Sequence, residues 1–124
     1  MKVRISGNKI RFRLKEPEVK QFQQKGLVYE VIEFGIHTDE QLKFALAVAE
    51  LDEIGVRFAL NETTVLVPKM TADNWTSTEL VGFEAEVRTG HGKTISILVE
   101  KDFVCLDGRE EENAGSYPNP LLNR

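Results

Sequence analysis

The chain states nearly the same pattern twice, and this constrains its fold more than any other feature. Val3-Arg4-Ile5-Ser6-Gly7-Asn8 returns as Val56-Arg57-Phe58-Ala59-Leu60-Asn61, a shift of 53 positions from Val3 to Val56. At the same shift Phe12 falls on Val65, Leu14 on Val67, Phe22 on Trp75, Leu27-Val28 on Leu80-Val81, Leu42 on Ile95 and Phe44 on Ile97. Identities are few. The apolar phase and the turn positions stay in step without a gap, however, and that is the trace of a repeated supersecondary unit.

Local pattern gives the content of the unit. Val3-Arg4-Ile5 and Ile10-Arg11-Phe12-Arg13-Leu14 alternate apolar with basic residues, the period of half-buried strands. Gly7-Asn8 between them suits a tight hairpin turn. Glu16-Pro17 predicts a helix start, Val19 and Phe22 give it an apolar stripe, and Gly26 closes it. Leu27 to Phe34 reads as a third strand and Gln41 to Val48 as a fourth. Thr38-Asp39-Glu40-Gln41 also has the form of a capping box, and the alanines that follow favour helix. The β-rich shifted partner, Thr94 to Val99, decides for strand. In the second unit, Val56–Leu60 and Thr63–Val67 form a hairpin, and Pro68 ends the strand. Thr71 is the expected N-cap of a short helix carrying Trp75. Leu80–Arg88 and Lys93–Glu100 make the closing hairpin.

One unit of four short strands and a helix leaves an apolar sheet face open, so two must pack together. The expected fold is mainly β (α+β): two ββαββ repeats, about 1–50 and 54–101, forming one pseudo-symmetric antiparallel barrel with two short helices. Residues 1–101 form the single domain. Residues 102–124 lack periodicity and read as an acidic, irregular C-terminal tail.

Composition narrows function chiefly by exclusion. No apolar run approaches bilayer-spanning length, and the first residues enter a patterned strand directly, so the expectation is a cytoplasmic protein without a secretory signal. The single cysteine, Cys105, forms no internal disulfide and has no metal-ligand spacing with His37 or His91. Gly90-His91-Gly92-Lys93 joins two strands, whereas phosphate-cradling loops open helices. Neither a catalytic set, a metal site nor a cofactor motif emerges, and the expected class is a non-enzymatic binding module. The net charge of −4 hides an asymmetry. Lys2, Arg4, Lys9, Arg11, Arg13 and Lys15 occupy the first fifteen residues with no acid among them, whereas Glu110-Glu111-Glu112 marks the acidic end.

The string Gly7-Asn8-Lys9-Ile10-Arg11-Phe12-Arg13-Leu14-Lys15-Glu16-Pro17-Glu18-Val19 resembles the start of the AbrB/MazE-type transcription-factor domain. Asn61, Thr63 to Val67, Pro68-Lys69 and Trp75 look like a decayed second copy, and Val81 to Val99 is similar to that family's closing hairpin. The resemblance implies a swapped-hairpin barrel, normally assembled from two chains and here from one. It also implies contact with DNA through the first hairpin. The chain as a whole, including Val99 to Leu106 and Tyr117-Pro118-Asn119-Pro120, is similar to a small uncharacterised bacterial family.

Two binding readings follow. Arg4, Lys9, Arg11, Arg13 and Lys15 share the outer face of the first hairpin, where they would neutralise DNA phosphates in a salt-dependent manner. The plainer alternative is a solvated face, or arginines paired with Glu30 and Glu33 on a neighbouring strand. The second reading is an antitoxin-like protein-interaction module whose acidic tail engages a partner through Phe103, Leu106 and Tyr117. In either case the chain is expected to be a monomeric pseudo-dimer or a weak homo-oligomer.

Overall fold

A computed structural model describes residues 1–103 and Tyr117. Eight strands and two α-helices follow in the order β1 (Lys2–Ile5), β2 (Lys9–Leu14), α1 (Glu16–Lys25), β3 (Leu27–Glu33), β4 (Gln41–Ala49), β5 (Gly55–Ala59), β6 (Glu62–Pro68), α2 (Lys69–Ser77), β7 (Gly82–Gly90) and β8 (Lys93–Lys101). Gln41–Ala49 is extended, as the β-rich partner segment indicated, and Thr38–Glu40 forms only a short 3₁₀ turn before it.

The strands form two four-stranded sheets, ordered β1-β2-β8-β7 and β3-β4-β6-β5. Each sheet is two antiparallel hairpins, and the hairpins are joined by a central parallel pair, β2 with β8 and β4 with β6. This corrects the expectation of an antiparallel barrel: the strands form two mixed four-stranded sheets, with β1, β7, β3 and β5 as edges. Strand periodicity reports which face a side chain takes and is silent on the direction of the neighbouring strand.

Each sheet takes one hairpin from each half of the chain. The offset of 53 reappears in the register: Lys9 opposes Ser96, and 53 positions away from each Glu62 opposes Lys43. Lys2 against Arg13 likewise shifts onto Gly55 against Leu66. The Ser96 amide donates to the Asn8 carbonyl and the Lys43 amide to the Asn61 carbonyl, both at 3.0 Å. Only the second hairpins slip. Leu27 opposes Ala47, yet Gly82, and not Leu80, opposes Glu100.

Helix α1 begins where Glu16, Pro17 and Glu18 suit a helix N-terminus, and the Glu18 carboxylate accepts the Lys15 amide at 2.9 Å. It stops at Gly26, whose φ of 69° closes the last turn on the Phe22 carbonyl. Helix α2 starts at Lys69, three residues before the position that an N-cap at Thr71 would give. Pro68 already holds the extended cap conformation (φ −57°, ψ 145°), so the chain turns helical straight out of β6.

The two sheets bury a common interior. Ile10, Phe12, Leu14, Ile97 and Val99 of one face Val28, Phe44, Leu46, Val65 and Val67 of the other. Phe12 meets Phe44 edge-on at 6.5 Å. Val19 and Phe22 of α1 and Ala72 and Trp75 of α2 close one end. Trp75 is fully buried between Phe22 and Phe83, and its indole N–H donates to the Val81 carbonyl at 3.0 Å. All four hairpin turns lie at the opposite end, because β2, β4, β6 and β8 each run from a turn toward the helices.

Candidate functional site

The outer face of the β1-β2-β8-β7 sheet collects the charge that the sequence concentrates in its first hairpin. Register sets the side chains in rows: Lys2, Arg13, Glu100 and Gly82; then Arg4, Arg11, Leu98 and Glu84; then Lys9, Ser96 and Glu86. The face therefore grades from basic on β1 and β2 to acidic on β7.

Arg11 and Arg13 are engaged by acids of their own chain. The Arg11 guanidinium donates through Nε and a terminal nitrogen to Glu100, with the Nε contact at 2.6 Å. Arg13 reaches Asp102 at 3.1 Å and stands 3.7 Å from Glu100. Asp102 is 1 % exposed, and its second oxygen meets Lys2 at 3.2 Å. Among the described residues neither Asp102 oxygen has a well-aligned hydrogen bond, and these ion pairs are what compensate the buried carboxylate there. The Asp102 amide donates to Leu14 at 2.8 Å, which fixes the acid at the end of β2. Asp102 is thus a packed residue immediately after β8, although the sequence places it in the tail. The acids predicted as arginine partners lie elsewhere: Glu30 meets the Met1 ammonium, and Glu33 is exposed near the β3–β4 loop.

Arg4 and Lys9 have no ion-pair partner among the described residues. With Ser6, Leu98 and the open side of Arg11, they line a depression of about 250 Å³. A second depression, of about 320 Å³, adjoins across Lys9 and is lined by Glu84, Glu86, Ser96 and Leu98. There the Ser96 and Thr94 hydroxyls donate to Glu86 at 2.5 and 3.0 Å and hold its carboxyl below the usual carboxylate range. Lys15 stands apart at the N-cap of α1.

Of the predicted partner anchors, Phe103 and Tyr117 are spent on the chain itself. They bridge to one another, and their rings cross at 63° with centroids 5.7 Å apart. The buried Lys101 ammonium lies 5.4 Å from the Tyr117 ring and donates to the Thr78 carbonyl at 2.7 Å. Burial lowers the Lys101 pKa and raises that of Tyr117. Leu106 and Cys105 lie outside the described residues. No cluster of metal-ligating side chains occurs among the described residues, and none of their helices is long and apolar enough to cross a membrane.

A family model described as a family of unknown function, DUF7009, matches residues 1–121. The chain belongs to the DUF7009 family. Comparison with curated proteins and with solved structures found no match. The DUF7009 match spans both halves, so the hairpins that build the charged face and their partners lie within one family unit. Sequence reasoning missed Glu100 and Asp102 as the anchors of this face. Their one legible signal was that Ser96, Leu98 and Glu100 share the outer parity of β8.

Proposed function

We propose that this chain is a non-enzymatic binding module of the swapped-hairpin kind, produced by internal duplication, whose outer β1-β2 face contacts the phosphates of duplex DNA. The convergence of Arg4, Lys9 and the open side of Arg11 on one depression, in an otherwise acidic chain, carries the reading. The shared register offset and the equivalent Asn8 and Asn61 junctions support the duplication. The AbrB/MazE resemblance supplies DNA as the polyanion.

The geometry makes the contact small. Five free cations would give a slope of log K against log salt of about −4.5, whereas Arg4 and Lys9 alone give about −2. The phosphate-binding set is therefore Arg4 and Lys9, with Arg11 held in reserve by Glu100. Fluorescence anisotropy with a random duplex of ~20 base pairs tests this between about 50 and 200 mM salt. A slope near −2, lost in Arg4→Glu/Lys9→Glu, supports the reading. Wild-type protein that fails to bind duplex at low salt, or binds without salt dependence, rejects it.

A further inference from the structure

We infer that the turn end of the molecule is a self-association surface, its occupant a second copy of this chain related by a two-fold axis. The inference goes beyond the DNA-binding reading and rests on different residues. It begins at Leu60. The β5–β6 turn holds Leu60 at φ 52° and Asn61 at φ 63°, a left-handed pair that glycine and asparagine fill without penalty. The first half puts Gly7 (φ 59°) at the equivalent position. Leu60 is nevertheless a large apolar residue, 97 % exposed. It bears backbone strain and solvent exposure together, and nothing among the described residues repays either one. A residue held this way is presented for contact.

Leu60 has company. Ile5, Ile32, Phe34, Ile36 and Phe58 are also exposed at the same end. The Asn61 side chain donates to the Asp39 carbonyl at 3.1 Å, which joins the Leu60 turn to the β3–β4 loop. Ile5 and Ile32 face one another across an apolar groove of about 520 Å³ between the free edges of β1 and β3. The six side chains together present on the order of 800 Å², at roughly 180 Å² for each if fully bare. About 800 Å² is what each partner contributes to an ordinary stable interface.

The charges select a second copy over an unrelated partner. The turns of the β3-β4-β6-β5 sheet carry Glu33, Asp39, Glu40 and Glu62 along with five of the six apolar side chains. The turns of the other sheet carry Arg88 and Lys93, with no acid between them. Those turns are also open: a Cβ added at Gly7, Gly90 or Gly92 would meet nothing within 4 Å. A two-fold axis near the β1–β3 groove lays the acidic, apolar half of each copy on the basic, open half of the other. One surface then supplies both sides of an isologous contact.

Sedimentation analysis of the full chain from about 1 to about 200 µM tests this, since self-association follows mass action. The expected result is a concentration-dependent dimer that weakens at least ~10-fold in Leu60→Gly, while the thermal midpoint of that variant, measured where it is monomeric, rises by a few degrees. That opposition separates a contact residue from a structural one. Glu33→Lys/Asp39→Lys and Arg88→Glu/Lys93→Glu each lose the dimer, and mixing the two variants restores it as a heterodimer. Wild-type chain that stays monomeric throughout overturns the proposal and leaves the end to a different protein. A dimer untouched by Leu60→Gly overturns it as well.

Discussion

Replacing Glu100 by glutamine should set stability against the proposed DNA contact, and the depth of its ion pair with Arg11 bounds the first effect. Glu100 holds Arg11 at an intermediate depth, with the two side chains 18 % and 28 % exposed. Fully exposed ion pairs contribute about 0–1 kcal/mol, and breaking a buried one costs about 3–5 kcal/mol. An intermediate site therefore loses about 1–2 kcal/mol, or a fall of ~0.5–1 M in the urea midpoint at a typical slope. Arg13 keeps Asp102 in the variant, which limits the damage. If the face binds DNA as proposed, the freed Arg11 guanidinium adds one phosphate contact to those of Arg4 and Lys9. One more released counterion steepens the salt slope from about −2 to about −3 and tightens binding about tenfold near 0.1 M salt. Urea unfolding and duplex anisotropy on the same preparation read the two effects. Less stable protein with tighter, steeper binding is the expected outcome. A variant that loses stability without gaining affinity would refute the claim that Glu100 withholds Arg11 from a polyanion.

Further outcomes follow from the packing. Gly82→Ala should cost about 1–3 kcal/mol by urea unfolding, because its Cβ would be driven into the Val99 carbonyl and Glu100 on the paired strand. Trp75→Phe removes the indole donor to Val81 and part of the contact with Phe22 and Phe83, a loss of about 2–3 kcal/mol by the same assay. Tyr117 should ionise above the usual tyrosine value of ~10, since burial disfavours its phenolate. With the folded pKa above the unfolded one, the stability tied to neutral Tyr117 is intact below pH ~10 and is lost as pH rises through the folded value. A phenolate absorbance titration of Tyr29→Phe, which isolates Tyr117, checks this; a midpoint at or below ~10 contradicts it.

The strands, both helices and the helix-terminating Gly26 were legible because each depends on neighbours in sequence: alternation for β2 and β8, proline and acids for α1. The start of α2 was read three residues late because Pro68 serves as both the end of a strand and the cap of a helix. The parallel β2–β8 and β4–β6 pairs were not legible. Nothing in Ile10-Arg11-Phe12 names Ile97-Leu98-Val99 as its neighbour, and the pairing is settled only when both halves close one core. The candidate site was half legible for the same reason. Five basic residues on one hairpin were evident, but the acids that occupy Arg11 and Arg13 come from the far end of the chain. Asp102 is the clearest case: it sits among tail-like residues by composition and is buried by the tertiary position of β8 beside β2.

The division of the cations into bound and available sets is the claim on which the functional account turns, and arginine side-chain NMR observes it directly. On titration with a short random duplex, the Arg4 Nε–H signal should move furthest, Arg11 less, and Arg13, locked on buried Asp102, hardly at all. Uniform movement of Arg4, Arg11 and Arg13, or a largest shift at Arg13, would contradict the account.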